Sequence, residues 1–309
     1  MKFELKKKLV ARSDKVKSVD FHPSLPWILI GLYNGAISIY DYNTQASLQY
    51  LEISNKSIRA VKFIADKNLF VTGSDDLKLR VYNYNTMERI KELDAHTDLI
   101  RNIAVSNKGN YVLSCSDDNT IILWDIEKDN EFKVIRTYEE HTSYVMKVAV
   151  NPKENDMFAS CSVDKKIKLW SFSNKNSNLT IEGHLKGVVS LVFCPMIDKT
   201  YLASGSDDKT IKIWDYTNKM CITTLESHEL PVCGLAFHPE LPILISSSED
   251  YYVKFWNINS FKLEDSKMFG YDTVWDIAVQ NENNMIAFGC NEGTLVMRMG
   301  SDRPMAIFK

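Results

Sequence analysis

Four stretches of the chain carry the same four residue types in the same order. They are His96, Ser114, Asp118 and Trp124; His141, Ser160, Asp164 and Trp170; His184, Ser204, Asp208 and Trp214; and His228, Ser246, Asp250 and Trp256. In every set the Ser stands four positions before the Asp and the Trp six after it, while the His-to-Asp interval varies from 22 to 24. A fixed core behind an approach of variable length marks a stacked structural repeat, in which strands keep register and loops drift. Successive tetrad tryptophans lie 46, 44 and 42 residues apart, close to the roughly 40–45 of a four-stranded propeller blade.

Within each period apolar and polar residues alternate and β-branched residues abound, as in Thr210-Ile211-Lys212-Ile213-Trp214. Asp, Asn and Gly bound these runs, so strands are expected throughout and helices are not. Carrying the register outward finds three weaker copies. Around Asp76, Thr72 and Tyr82 take the Ser and Trp positions and the histidine is gone; around Asn34 stand Ile30 and Tyr40; around Glu292 stand Phe288 and Arg298. Seven units result, starting near residues 11, 52, 95, 140, 183, 227 and 270.

The last unit runs out near Gly300 before a fourth strand is established, while Phe3 to Val10 has strand character and no unit of its own. This segment is therefore expected to supply the outer strand of the seventh blade, which removes two open sheet edges. Residues 1–302 then form the propeller, with 1–10 completing blade 7, and 303–309 read as overhang leading into a further domain of a longer protein. The fold expected is all-β: a seven-bladed WD-repeat β-propeller with four antiparallel strands per blade and an N-terminal strand closing the ring.

These residues identify the chain as a member of the WD-repeat family, whose tetrad hydrogen-bonds strand to loop inside each blade. A hydrolase triad of His, Ser and Asp is the competing assignment, but a nucleophile needs one polarised, exposed site rather than four copies each tied to a Trp. The tetrads are structural and no enzyme is expected. Further segments, Lys15-Val16-Lys17-Ser18-Val19-Asp20-Phe21-His22-Pro23, Gly73-Ser74-Asp75-Asp76 and Ala95-His96 through Asp98-Leu99-Ile100-Arg101, are similar to the N-terminal propellers of COPI vesicle-coat subunits of the beta-prime type. That resemblance implies a cytoplasmic domain, peripheral on Golgi and vesicle membranes, that reads C-terminal dilysine signals (KKxx or KxKxx) of membrane cargo for retrieval to the endoplasmic reticulum. Other coat subunits would join it through further regions. A substrate receptor of a ubiquitin ligase and a generic scaffold are the alternatives, although Trp124-Asp125 leads to Glu127 and Trp214-Asp215 to Thr217, not to the arginine such receptors carry.

Equivalent positions of the repeat define two rings on one face. The residue before each tetrad Asp gives Tyr33, Asp75, Asp117, Val163, Asp207, Glu249 and Asn291; the first strand of each blade gives Lys17, Arg59, Arg101, Met146, Val189, Cys233 and Trp275. Cations of the second ring are confined to blades 1–3, with Lys15 one alternation further out, and acids of the first ring fall on blades 2, 3, 5 and 6. A ligand matching both carries separated charges, as a free C-terminus preceded by lysines does. Its carboxylate would meet Lys15, Lys17, Arg59 and Arg101, and its ammonium groups Asp75, Asp98, Asp117 and Asp207, with Tyr33 against a lysine stem. Internal pairing of Arg101 with Asp117 is the alternative for those two, and Asp75 and Glu249 can act through their field alone. The resemblance implies arginine at position 15, where Lys15 keeps the charge but loses the bidentate fork.

Composition narrows the partners. A formal net charge of -3 argues against nucleic acid, which requires a basic face. No apolar run is long enough to cross a membrane, so direct insertion is not expected, and the N-terminus lacks the apolar core of a secretory signal. The six cysteines form no CxxC pair and read as reduced thiols on apolar strand positions. No phosphate loop, metal motif or cofactor site is expected.

Overall fold

The computed structural model describes residues 9–299 except 13, 95, 127–130, 155, 281, with side chains from residue 14 onward. Twenty-eight strands form seven four-stranded antiparallel sheets. In six sheets the strands follow chain order from the inner to the outer edge; blade 3, for example, runs Ile100–Val105, Tyr111–Ser116, Ile121–Ile126 and Phe132–Tyr138. The seventh combines Val274–Val279, Met285–Cys290 and Gly293–Arg298 with Leu9–Arg12 from the other end of the chain. The described part of the closing strand is Leu9–Arg12, paired Leu9 to Val296 and Arg12 to Gly293; of the expected Phe3 to Val10, residues 3–8 lie outside the described part. Residues 1–8 and the 303–309 overhang lie outside the described part. The described residues contain no α-helix, only one 3-10 turn at Ala65–Lys67.

Alternation places one face of each sheet against the next blade, and the seven apolar clusters are largely such seams. Close approach there demands small residues. A Cβ at Gly73 would stand 2.6 Å from Ile100 of blade 3, and one at Gly205 2.6 Å from Val232 of blade 6. Cys115 and Cys161 occupy the equivalent register and are fully buried, so these thiols serve packing. Cys221 departs from expectation: it is exposed on the outer strand of blade 5.

The inner strands are also tied blade to blade by side chains at their bulge. Asp276 accepts Val19 N–H at 3.1 Å, Ser18 accepts Val61 N–H at 3.3 Å and Asn102 accepts Val148 N–H at 3.3 Å. Each bond satisfies an N–H on the inner edge strand of its sheet, where no further strand supplies a partner. His22 and His238 behave as turn residues, as their Phe-His-Pro context suggests: each Nδ1 accepts backbone N–H groups two and three residues on.

Candidate binding face

All four tetrads close in the same way. The indoles of Trp124, Trp170, Trp214 and Trp256 donate to the hydroxyls of Ser114, Ser160, Ser204 and Ser246 respectively, at 2.7–3.0 Å. Those four serines meet Nε2 of His96, His141, His184 and His228 at 2.7–2.8 Å. Nδ1 of the same histidines meets Asp118, Asp164, Asp208 and Asp250 at 2.7–2.8 Å. A neutral histidine protonated on Nδ1 satisfies the whole chain: Trp N–H to Ser, Ser O–H to Nε2, Nδ1–H to carboxylate. Ser114, Ser160, Ser204 and Ser246 are fully buried, so each hydroxyl is enclosed between its indole and its imidazole and is closed to any substrate. The same carboxylate accepts the backbone N–H after the histidine, at Thr97, Thr142, Leu185 and Glu229. Although burial works to raise these acids, the hydrogen bonds they accept hold Asp118, Asp208 and Asp250 down to about 2.

A second staple escaped the sequence. Ser116, Ser162, Ser206 and Ser248, two residues before each Asp, donate to a carbonyl of the entering loop at 2.8–2.9 Å and accept the Asp N–H at 3.0–3.1 Å. Serines are so common in this chain that only superposing the four repeats could single these out. The loop positions that carry the two rings are consequently held from both sides.

Blade 2 retains its staple in ionic form. Ser54, at the missing histidine's position, donates to Asp76 at 2.7 Å, and Arg80 grips the same carboxylate with Nη1 at 3.1 Å and Nη2 at 2.7 Å. Arg80 Nε turns to Glu92 at 2.9 Å. Thr72, at the Ser position, is fully buried with its hydroxyl unpartnered, because neither histidine nor tryptophan reaches it.

The two rings meet within each blade. Backbone bonds from Tyr33, Asp75, Asp117, Val163, Asp207 and Glu249 to the entering loops, at 2.8–3.0 Å, fix one ring against the other. Arg59 then forks onto Asp75, with Nη2 to Oδ2 at 2.9 Å, and Arg101 forks onto Asp117, with Nε to Oδ1 at 2.6 Å. Four of the nine predicted ligand-binding residues are therefore joined in two internal pairs. Each guanidinium still has Nη1 unengaged among the described residues, and a paired carboxylate keeps lone pairs for a further donor.

Lys15 and Lys17 have different company. Their ammonium groups lie 4.2 and 3.5 Å from the centroid of the Trp275 indole, and Lys15 is 5.7 Å from that of Tyr33. The indole is oriented by Nε1–H donation to Asn291 at 2.7 Å. No carboxylate of the described residues pairs with either lysine. Burial, followed by the repulsion of Lys15 and Arg59, lowers the Lys17 pKa to about 7. The contact of Trp275 with the two lysines is what ring membership alone did not reveal; the available signal was an aromatic on blade 7, which adjoins blade 1 once the ring closes.

Asp207 is the counterpart of opposite sign. It makes no ion pair or side-chain hydrogen bond among the described residues, and burial raises its pKa, with Lys186 opposing. Asp98 stands half-buried in the blade 3 loop and accepts the adjacent Leu99 N–H at 2.8 Å. Tyr33 is 54% exposed beside the lysines. Among the described residues, one face thus offers lysines and an acid that form no ion pair.

The profile of the family described as WD domain, G-beta repeat matches residues 3–41, 46–83, 87–125, 132–171, 175–215 and 219–257. Each matched stretch starts with the outer strand of one blade and continues into the next, which is why the chain's first strand belongs to its last sheet. Over 304 residues the chain is 50% identical to coatomer subunit beta' of Rattus norvegicus, 48% to that of Drosophila melanogaster and 41% to a probable coatomer subunit beta' of Schizosaccharomyces pombe. Each alignment covers 98% of this chain but 33%, 33% and 38% of those proteins, so the chain spans about a third of the length of the curated relatives it matches. With six matched repeats, four closed tetrads and seven sheets in a sealed ring, the chain belongs to the WD-repeat family.

Proposed function

We propose that this propeller is the cargo-reading domain of a COPI-type coat subunit and binds C-terminal dilysine tails of membrane proteins. The observation that carries the proposal is the separation of unpaired charge on one face: Lys15 and Lys17 against Trp275, and Asp207 desolvated without a partner. A ligand that relieves both must present an anion and a cation at a fixed spacing. A chain terminus with nearby lysines does so, and similarity to proteins named coatomer subunit beta' supports seeking that terminus among the cargo of a coat.

In this scheme the terminal carboxylate replaces water around Lys15 and Lys17, and the free edge of Arg59 adds a donor. Lysine ammonium groups go to Asp207 and to Asp98 with the Arg101-backed Asp117, while Tyr33 flanks an aliphatic stem. Asp75, neutralised by Arg59, orients that guanidinium. Two unit charges 4 Å apart gain about 4 kcal/mol at an effective dielectric of 20, and ordering a flexible tail offsets much of it. Micromolar affinity, about -8 kcal/mol, is the expected scale, with multivalency in a coat supplying retention.

The test is calorimetric titration with a KKxx peptide as free acid, as amide, and with a short C-terminal extension. The free acid should bind at least tenfold tighter than the other two, and more weakly as salt rises. Equal affinity for all three peptides would remove carboxylate reading.

A further inference from the structure

We propose that the blade 4–5 sector of this face is an apolar subsite for a hydrophobic or aromatic side chain on the N-terminal side of the lysines in the same tail. This rests on the tail-binding role proposed above. Apart from Asp207, the two rings lose their charge here: Met146, Val163 and Val189 stand where blades 2 and 3 have Arg59, Arg101, Asp75 and Asp117. Around them Tyr144 is 46%, Val163 36% and Leu185 79% exposed.

Singly exposed apolar residues are ordinary, but these three stand on adjoining loops. Val163 N–H donates to the Tyr144 carbonyl at 3.0 Å. A Cβ built on Gly187 would lie 3.2 Å from Val163 Cα, and Leu185 is two residues earlier on the same loop. That same Cβ would be 3.1 Å from Asp207 Oδ2, so the patch and the partnerless acid share an edge. Blade 3, on the other side, brings Asp98 and Asp117. Acids therefore border the apolar patch on both flanks, which fits a segment in which lysine and apolar residues are close neighbours.

Direction follows from the ring. A tail whose carboxylate sits at blade 1 and whose lysine side chains splay to Asp117 on blade 3 and Asp207 on blade 5 carries its backbone between those acids, so its preceding residues continue outward over the patch that the acids flank. The receiving loops are already rigid: the N–H groups of Thr142 and Leu185 are bonded to Asp164 and Asp208 at 3.1 and 2.8 Å. Covering part of an aromatic ring on such a preordered surface is expected to change affinity about fivefold.

The experiment titrates the domain with KKxx tails carrying Phe or Ser at each of the three positions before the first lysine, each as free acid and amide. At one of those positions Phe should bind about fivefold tighter than Ser. In a double variant combining Leu185→Ser with Val163→Ser, and independently in Tyr144→Ser, the preference should fall below about twofold while the Ser tail binds as before. Absence of a Phe preference with the acid-over-amide gap intact, or a preference that survives in both variants, overturns the subsite alone. Loss of the acid-over-amide gap in the native domain overturns the tail-binding role and the subsite with it.

Discussion

In blade 3 His96 joins Asp118 to Ser114 and, through it, Trp124, whereas in blade 2 the corresponding carboxylate, Asp76, is held by Ser54 and the guanidinium of Arg80. The aspartate at the turn persists in both; its partner is exchangeable. In both blades a turn carboxylate gathers donors, and a buried histidine in one and a buried arginine in the other supply them. The apparent decay of the tetrad in blade 2 is thus a change of chemistry. Like blade 3 with Arg101 and Asp117, that blade also carries a ring pair, Arg59 and Asp75, on the candidate face.

The comparison is broken most severely by deleting the carboxylate. Asp118→Ala strands His96 and the Thr97 N–H, and should cost about 3 kcal/mol in urea unfolding. Asp76→Ala should cost about 2 kcal/mol, because Arg80 keeps Glu92 as a partner; a loss as large as that of Asp118→Ala would mean that blade 2 depends on its aspartate just as fully. Acid sharpens the contrast next. Asp118, Asp208 and Asp250, held down to about 2 against an ordinary value of 3.8, contribute stability that is complete above about pH 4 and disappears as pH falls toward 2. His184, whose pKa is lowered by burial, acts in the same direction, since charging it as pH drops below its ordinary 6.5 opposes folding. Thermal melts from pH 5 to 2 should therefore fall, and hydrogen exchange should show blades 3, 5 and 6 loosening together.

Smaller effects concern the ligand face. Trp275→Ala should weaken free-acid tail binding about fivefold, with little change for the amide, as cation–π support for Lys15 and Lys17 is lost. Binding of the free acid should take up a proton near pH 8 and weaken as pH rises above about 7, because an anion raises the Lys17 pKa that burial lowers. Lys17→Met should slightly raise the melting temperature at neutral pH, by relieving a desolvated charge; a fall would mean that the ammonium is stabilising the blade.

The repeat was legible because its constraints are local and periodic: strand alternation, the turn aspartate and the seam's small residues recur at fixed spacing. Ring membership likewise placed Lys17, Arg59, Asp117 and Asp207 on one face. Pairing was only partly legible. The match of Arg101 with Asp117 could be weighed from sequence, and that of Arg59 with Asp75, at the same separation of 16 residues, was open to the same reading, whereas Arg80 with Asp76 depends on burial that no spacing encodes. Trp275 was obscured for another reason: its neighbours are Lys15 and Lys17, some 260 residues away in the chain, and only the closing strand brings them together.

The most direct test of this division of labour is titration of free-acid and amidated KKxx peptides against the native domain, Lys17→Met and Asp207→Asn. Lys17→Met should erase the gap between acid and amide, whereas Asp207→Asn should weaken both peptides and leave the gap intact. Equal losses for both peptides in both variants would contradict the assignment of carboxylate and lysine to separate poles of the face.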